Sequence, residues 1–343
     1  MGTLLTFQEA IEKTHGQKPN VLLGNGFSQA CRPDIFAYGA LFDRANFGAL
    51  SDHARGAFDV LGTTDFEIVM EALKSASKLV ALYDEDDEFL AAKLAYDAES
   101  LRDVLVTAIA SSHPASPLDI EESAYLACRY FLSRFDTIYS LNYDLLLYWT
   151  LMHEDNKQNE PFRLKCDDGF RTPADGETDY VTWEIENSNT QNIYYLHGAL
   201  HLFDAGLELQ KYTWCNTGVR IIDQVRNALE NGYYPLFVAE GSSEQKLTRI
   251  KHHGYLSRGL RSIGNVRKPL FIYGLSMGSS DDHILKLIKN GGVSQLFVSI
   301  YGEPDLKPNQ EIMQRANALA AGRGIRNRLE VHFFDAASAK AWG

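Results

Sequence analysis

The sequence predicts an α/β fold built on one mainly parallel sheet with helices on both faces. Short apolar runs, which have the length and composition of buried strands, alternate with longer segments that carry apolar residues at helical spacing. Because the crossover between two parallel strands is usually a helix, this alternation is typical of a parallel sheet covered on both sides. The predicted core strands are Val21–Gly24, Asp136–Leu141, Ile193–Leu196, Leu270–Tyr273, Leu296–Tyr301 and Leu329–Phe334.

The composition is that of an acidic globular protein. The chain has 343 residues, of which 45% are hydrophobic, and a net charge of −12. This length can bury a large core, and we predict one domain over residues 1–343. The negative charge argues against nucleic acid or an acidic membrane as a partner. We find neither a signal peptide nor an apolar run of membrane length, and the four cysteines are scattered, so we expect a cytoplasmic protein.

A large helical insertion is predicted after the first strand, over residues 31–134. Thr64 and Glu67 have the spacing of a capping box, which would start a helix that continues to Val80. Capping is therefore the expected role of Glu67, in preference to catalysis. The acidic run Asp84–Glu88 is expected to be a solvated turn between two long helices rather than a metal site.

A second insertion is predicted over residues 155–215, irregular at first and then folded into a hairpin. In its polar first part we expect one hairpin, around Tyr180–Ile185. Apolar and polar residues then alternate in Ala199–Phe203 and Leu207–Trp214, on either side of a turn, which predicts a second hairpin. Leu236–Ala239 is predicted to be a short strand.

The segment Lys246–Lys268 is basic in an otherwise acidic chain, with seven Lys and Arg residues and no acid. It is either an amphipathic helix whose charges face acidic neighbours or a positive rim for phosphates or a charged partner, and both interpretations stay open. Further along, Asp281 or Asp282 is expected to cap a helix over Ile284–Lys289.

Polar or glycine-rich stretches directly follow four of the predicted strands. They are Gly24–Ser28, Asn142–Asp144, His197–Gly198 and Gly274–Ser276. In an open parallel sheet, ligands bind beyond the carboxyl ends of the strands. We therefore expect these four stretches to surround one pocket. Glycines in the first turn would let a ligand approach, and free backbone N–H groups before a helix would suit a phosphate.

The order of these four stretches resembles the sirtuin superfamily. In that family a Gly-Ala-Gly-x-Ser loop, a Gln-Asn-x-Asp motif, a His-Gly pair and a Gly-Thr-Ser motif follow one another and surround NAD. Asn142-Tyr143-Asp144 and Leu196-His197-Gly198 are more similar to the sirtuin-like domains of bacterial anti-phage defence proteins. The resemblance implies a Rossmann-like fold. It covers the core sheet, in residues 18–30, 136–150, 192–200 and 268–300.

The resemblance implies an enzyme that cleaves NAD to nicotinamide and ADP-ribose, with NAD as its substrate and no metal, acting as an effector of antiviral defence. The zinc ribbon of the protein-deacylating sirtuins, two Cys-x-x-Cys pairs, is absent, which disfavours deacylation. Asn25 stands where the family loop has Ala, a change at the place where the backbone meets the pyrophosphate. The alternative is a non-catalytic module that binds NAD or ADP-ribose and acts through a protein partner. The sequence also leaves open whether the protein forms a homo-oligomer.

The catalytic residues implied by this resemblance are Asn142 and His197. Asn142 can hold ribose hydroxyls or a water molecule, because its amide both donates and accepts hydrogen bonds. His197 can accept a proton, because the ordinary pKa of histidine lies near neutral pH. The implied cofactor-binding residues are Gly24, Asn25, Gly26, Phe27, Ser28, Asp144, Gly274 and Ser276.

Each of these residues also has a purely structural interpretation. An Asn at a strand end is often a turn residue, Asp144 can be the N-cap of the next helix, and a His before Gly is often a structural group. His197 and His201 have the spacing of a zinc-protease pair, but Gly198 stands where that motif needs Glu. Zinc is therefore not expected.

Overall fold

A computed structural model of the chain has the α/β fold that the sequence predicts. It describes residues 4–48, 52–83, 88–153, 162, 164–173, 179–238, 242–324 and 327–343. At its centre is a six-stranded sheet in which all neighbouring strands are parallel, and helices flank this sheet. No helix within these ranges is both long and apolar enough to cross a membrane.

The strand order of the central sheet is the Rossmann arrangement. The strands of the described chain are β1 Asn20–Leu23, β2 Ile138–Ser140, β3 Phe170–Arg171, β4 Tyr180–Trp183, β5 Ile193–Tyr195, β6 Leu202–Asp204, β7 Leu209–Tyr212, β8 Leu270–Tyr273, β9 Gln295–Ile300 and β10 Glu330–Asp335. The parallel sheet has the order β10-β9-β8-β1-β2-β5. Numbered along the chain and read from β5, its strands run 3-2-1-4-5-6, so the order reverses between β1 and β8. Proteins of this architecture bind ligands at that switch point.

The central strand β1 is buried on both faces. Val21, Leu22 and Leu23 have no exposed surface, and the strand pairs with β2 on one side and β8 on the other. A strand covered on both faces has a continuous apolar sequence rather than an alternating one. Phe271 of β8 extends the same layer by stacking on Phe297 of β9, with ring centroids 4.5 Å apart.

A helical insertion separates β1 from β2, as predicted. The helices of the described chain are α1 Phe7–Glu12, α2 Asn25–Cys31, α3 Pro33–Phe36, α4 Tyr38–Arg44, α5 Asp52–Leu61, α6 Phe66–Tyr83, α7 Glu88–Ser112, α8 Glu122–Ser133, α9 Leu146–Met152, α10 Trp214–Thr217, α11 Ile221–Glu230, α12 Ser243–His252, α13 Gly254–Gly264, α14 Asp282–Asn290 and α15 Lys307–Ala321. The two long helices α6 and α7 pack against each other. Of the acidic run between them, Glu88 begins α7, and Asp84–Asp87 lie outside the described residues.

A smaller antiparallel sheet has the order β3-β4-β7-β6. Strands β6 and β7 form the hairpin predicted on either side of the Asp204-Ala205-Gly206 turn, in which Gly206 has a φ of +85°. The strand expected near Tyr180 is β4, which pairs with both β3 and β7. Together these strands form one sheet, whereas two separate hairpins were predicted.

Of the two short strands predicted around the second insertion, one is confirmed and one is not. Strand β5 lies within residues 155–215 and belongs to the parallel sheet, where it pairs with β2, as predicted for Ile193–Leu196. The short strand expected at Leu236–Ala239 is a single bridge between Phe237 and Gly198, and Ala239 lies outside the described residues. Apolar runs this short do not distinguish a paired strand from a buried connection.

Candidate functional site

A cavity of about 750 Å³ opens at the carboxyl edge of the parallel sheet. Every one of the six parallel strands contributes a lining residue from just beyond its carboxyl end. These residues are Gly24, Asn142, His197, Gly274, Tyr301 and Ala336. The volume lies within the range of small-molecule and cofactor pockets, and the position is the one at which Rossmann sheets bind ligands.

Eight of the ten residues singled out in the sequence line this cavity. They are Gly24, Asn25, Gly26, Asn142, Asp144, His197, Gly274 and Ser276. The prediction that Phe27 and Ser28 contact a ligand is not supported by the lining, because α2 begins at Asn25 and turns both side chains into the protein. Phe27 packs on Trp342, with ring centroids 5.2 Å apart, and Ser28 has no exposed surface.

The turn that follows β8 packs against the turn that follows β1 and leaves no room for side chains at Gly24 and Gly26. A Cβ on Gly24 would lie 2.7 Å from the Gly274 carbonyl oxygen, and one on Gly26 would lie 2.6 Å from the Gly274 Cα. Gly274 itself has a φ of +70°. The Gly26 N–H donates to the Gly274 carbonyl at 2.7 Å, so it is not available to a phosphate as we expected. Close packing of the β1 and β8 turns explains these glycines without a ligand.

Three side chains form a compact hydrogen-bonded group, here called the amide cluster: Ser28, Asn142 and Asp144. The Ser28 hydroxyl donates to Asp144 Oδ2 at 2.5 Å and accepts from Asn142 Nδ2 at 2.9 Å. Asp144 Oδ1 accepts from the Leu146 N–H at 2.9 Å, at the first residue of α9. The N-cap position of this helix belongs to Leu145, so Asp144 supports the start of α9 from one residue earlier and is not its N-cap. Burial raises the pKa of Asp144, and the hydrogen bonds from Ser28 and Leu146 oppose that rise.

A second group, here called the imidazole cluster, consists of His197, His283 and Ser243. His197 Nε2 lies 3.0 Å from His283 Nε2, and His283 Nδ1 lies 3.3 Å from the Ser243 hydroxyl. Burial, together with the charge of Lys246, lowers the pKa of His197 well below its ordinary value and that of His283 to about 3. Both rings are therefore neutral at physiological pH, and one nitrogen of the facing pair donates to the other.

A buried ion pair lies next to the imidazole cluster. The Lys246 ammonium has no exposed surface and donates to Glu67 Oε2 at 2.6 Å. Although burial opposes it, the charges of Glu67 and Asp281 raise the pKa of Lys246. The capping role expected for Glu67 is wrong, because Asp65 Oδ1 accepts from the Glu67 N–H at 2.9 Å and leaves the Glu67 side chain free to face Lys246.

The basic segment does not form a rim of this cavity. Residues 246–268 are all described, and none of them is among the lining residues. Lys246 is buried against Glu67, and Lys268 donates to Asp136 at 2.5 Å. The amphipathic interpretation, with charges facing acidic neighbours, is therefore supported at these two positions.

The carboxyl groups of Asp281 and Asp65 also line the cavity. Asp281 Oδ1 lies 4.0 Å from His197 Nε2, and burial raises the pKa of Asp281 to about 7. Burial likewise raises the pKa of Asp65 to about 6. Asp281 occupies the N-cap position of α14 but makes no capping hydrogen bond with its side chain. Its carboxylate instead belongs to the electrostatic environment of His197 and Lys246.

The donor set that could hold a metal consists of His197, Asp281 and His283, whose ligand atoms lie within 4.8 Å of one another. Two neutral imidazoles and a carboxylate suit Zn²⁺. The positive charge of Lys246, which acts on both histidines and on Asp281, opposes a cation there. His201, the other histidine of the zinc-protease spacing that the sequence disfavoured, lies elsewhere, with its ring 4.6 Å from that of Tyr148.

Sequence reasoning missed several contacts and some residues of this site. Glu67 and Lys246 are 179 positions apart, and His283 is 86 positions from His197, so no local spacing connects them. His283 had a weak signal, because it follows the strand end at Gly274 by a few residues. Trp342 and Lys340 line the cavity from the end of the chain, where no motif marks them.

The fold and the cavity define an α/β protein of Rossmann-like architecture with a cavity at the carboxyl edge of its sheet. A family model described as a domain of unknown function (DUF4917) matches residues 21–342, so the chain belongs to that family. No curated protein matches the sequence. The family description names no activity, and the resemblance to sirtuins therefore stays a prediction.

Proposed function

We propose that this protein is an NAD glycohydrolase, which cleaves NAD to nicotinamide and ADP-ribose, and that this activity serves antiviral defence. The observation that carries the proposal is the convergence of Asn142 and His197 on one cavity. These residues are 55 positions apart, follow different strands and line the same cofactor-sized space, together with the turns at Gly26 and Ser276. The resemblance to sirtuins implies this combination of residues around NAD.

The chemistry suits these groups. The bond between nicotinamide and ribose breaks through an oxocarbenium-like transition state, and nicotinamide leaves as a neutral molecule, so no strong general acid is needed. A neutral His197 can accept a proton from the attacking water. Asp281, 4.0 Å from His197 Nε2, would stabilise the imidazolium that forms, because opposite charges attract strongly in a buried site. The Asn142 amide can orient the water or a ribose hydroxyl.

The charges of the cavity also favour NAD. Glu67 is paired with Lys246, whereas Asp65 and Asp281 have pKa values of about 6 and about 7, which burial has raised. Ionisation of either carboxyl group becomes easier when a cation binds nearby. The nicotinamide ring of NAD is positively charged before cleavage and neutral afterwards. The acidic wall would therefore bind the substrate ring more tightly than the released nicotinamide.

The test is nicotinamide release from NAD by the purified protein. Replacing His197 with Ala should lower turnover by about 10²–10⁴-fold, because a positioned general base contributes a factor of that size. His252→Ala is the matched control, since His252 is an exposed residue on α12 and should leave turnover unchanged. Equal turnover in His197→Ala and in the unmodified protein would remove His197 from the mechanism.

A second candidate, binding of NAD or ADP-ribose without cleavage, is favoured by the burial of both residues. His197 is 2% exposed, Asn142 is 7% exposed, and the Asn142 amide already donates to Ser28. A non-catalytic module would act through a protein partner. Calorimetry that detects NAD binding, in a preparation that releases no nicotinamide, would support this candidate over hydrolysis.

A further inference from the structure

The contact between the two histidines requires a definite arrangement of hydrogens. Their Nε2 atoms lie 3.0 Å apart, both rings are buried, and a neutral imidazole carries one N–H and one acceptor nitrogen. Of the two facing atoms, one must therefore be the donor and the other the acceptor. The identity of the donor decides which nitrogen of His197 is free to act as a base.

The surroundings of the two rings identify the donor. The Asp281 carboxylate lies 4.0 Å from His197 Nε2, and a carboxylate attracts an N–H and repels a lone pair. The other ring can place its hydrogen on Nδ1, because the Ser243 hydroxyl, 3.3 Å from His283 Nδ1, can accept it. His283 Nε2 is then an acceptor, and the hydrogen between the two rings belongs to His197 Nε2.

We propose that His283 is a positioning residue, which holds His197 in the tautomer that has hydrogen on Nε2 and a free lone pair on Nδ1. The same N–H contact fixes the plane of the His197 ring. In many enzymes the hydrogen bond made by one ring nitrogen of a histidine decides which form the other nitrogen takes. The tautomer depends on the folded structure alone, whereas its use in catalysis rests on the proposed NAD hydrolysis.

In that reaction the free nitrogen accepts the proton. A water O–H bond breaks, the proton goes to His197 Nδ1, and the water oxygen bonds to C1′ of the ribose. The bond from C1′ to nicotinamide breaks at the same centre, and its electron pair leaves with nicotinamide. The imidazolium keeps its Nε2–H on His283 and later releases the Nδ1 proton to solvent. In the overall reaction, NAD and water give ADP-ribose, nicotinamide and one proton.

Nitrogen NMR of ¹⁵N-histidine-labelled protein tests the tautomer directly. In the unmodified protein, the His197 resonances, identified by their loss in His197→Gln, should show a protonated Nε2 and an unprotonated Nδ1. In His283→Ala the resonances should shift toward a mixture of tautomers. His283→Gln should retain the original pattern, because the Gln amide oxygen can accept from Nε2. His252→Ala, a change on the exposed side of α12, should leave the pattern unchanged.

Kinetics test the consequence. His283→Ala should lower kcat by about 10–100-fold with little change in KM, and His283→Gln should restore most of the loss. His197→Ala combined with His283→Ala should be no slower than His197→Ala alone, because the second residue acts through the first. If the role of His283 were purely structural, kcat would fall equally in His283→Ala and His283→Gln, and Gln would not restore activity.

Three results would overturn the proposal. One is a protonated Nδ1 on His197 in the unmodified protein. Another is an unchanged His197 pattern in His283→Ala. The third is one equivalent of Zn²⁺, measured by mass spectrometry in the unmodified protein and lost from His283→Ala, which would make the two histidines metal ligands. If the unmodified protein releases no nicotinamide but shows the expected tautomer, NAD hydrolysis is rejected and the positioning role of His283 remains.

Discussion

The amide cluster and the imidazole cluster contribute to the same cavity but are held in different ways. In the amide cluster, hydrogen bonds of 2.5 and 2.9 Å join Ser28 to its two partners. Asn142 and Asp144 directly follow β2, and Ser28 lies in the first turn of α2, which directly follows the adjacent strand β1. In the imidazole cluster, His197 follows β5, but His283 comes from α14 and Ser243 from α12. Its longest contact is 3.3 Å.

This difference shows how two kinds of position contribute to a site. Residues at strand ends are placed by the backbone hydrogen bonds of the sheet, so their spacing is fixed once the strands pair. Residues on helices that do not directly follow a strand end, such as Ser243 and His283, are placed by packing, and small shifts of a helix move them. The environment of His197 therefore depends on the docking of α12, α14 and the helical insertion, of which Glu67 is a part. The following predictions test this dependence.

The largest effect is expected from the ion pair that joins the insertion to α12. Glu67→Gln should lower the free energy of unfolding by about 3 kcal/mol, because it leaves the Lys246 ammonium buried without its partner. Lys246→Met should lower the free energy of unfolding by less, since the Glu67 side chain is 18% exposed and water in the cavity can solvate it. Urea unfolding of both variants measures the difference. Equal losses would mean that burial of Lys246 is not what makes the pair important.

For each pH unit, a smaller effect is expected from the titration of Asp281. The pKa of Asp281 rises from an ordinary value of 3.8 to about 7 in the folded chain, mainly through burial. The folded state therefore binds more protons than the unfolded state between these values, and its stability falls as pH rises from about 4 to about 7. One group contributes at most about 1.4 kcal/mol per pH unit. The charges that act on it belong to Lys246, Glu67, Asp65 and Asp282.

The variant that checks this slope is Asp281→Asn. Urea unfolding at a series of pH values should give a flatter profile for the variant than for the unmodified protein, with the difference growing toward pH 7. A profile that is equally steep in both proteins would show that Asp281 is not the group that titrates. The remaining slope in the variant would then belong to Asp65, whose pKa burial raises to about 6.

The smallest effect is the expected difference in stability between variants of Ser28 and Ser243. Ser28→Ala removes the hydroxyl shared by Asn142 and Asp144 and leaves two buried polar atoms without that partner, whereas Ser243→Ala removes one contact of 3.3 Å. Ser28→Ala should therefore lower the free energy of unfolding by about 1 kcal/mol more than Ser243→Ala. Thermal unfolding of the matched pair gives the difference. A larger loss in Ser243→Ala would reverse the comparison between the two clusters.

Much of the fold could be predicted because its signals are local. The six core strands are apolar runs, and burial on both faces of a parallel sheet produces such runs wherever they occur. The error at Glu67 arose where a local signal competed with a distant partner. Glu67 has the spacing of a capping residue, but Asp65, two positions earlier, accepts from its N–H, and the Glu67 side chain pairs with Lys246. Local spacing could not distinguish these alternatives, because the competing partner lies on another helix.

The sequence by itself determined the parallel sheet and the edge at which a ligand would bind, since parallel strands place their carboxyl ends on one side. It also determined which polar residues reach that edge, including Asn142 and His197. The tertiary structure alone decided what surrounds them. The glycines serve the packing of two turns, Lys246 is buried against Glu67, and His283 faces His197. Contacts between helices depend on packing over the whole chain, and no local spacing encodes them.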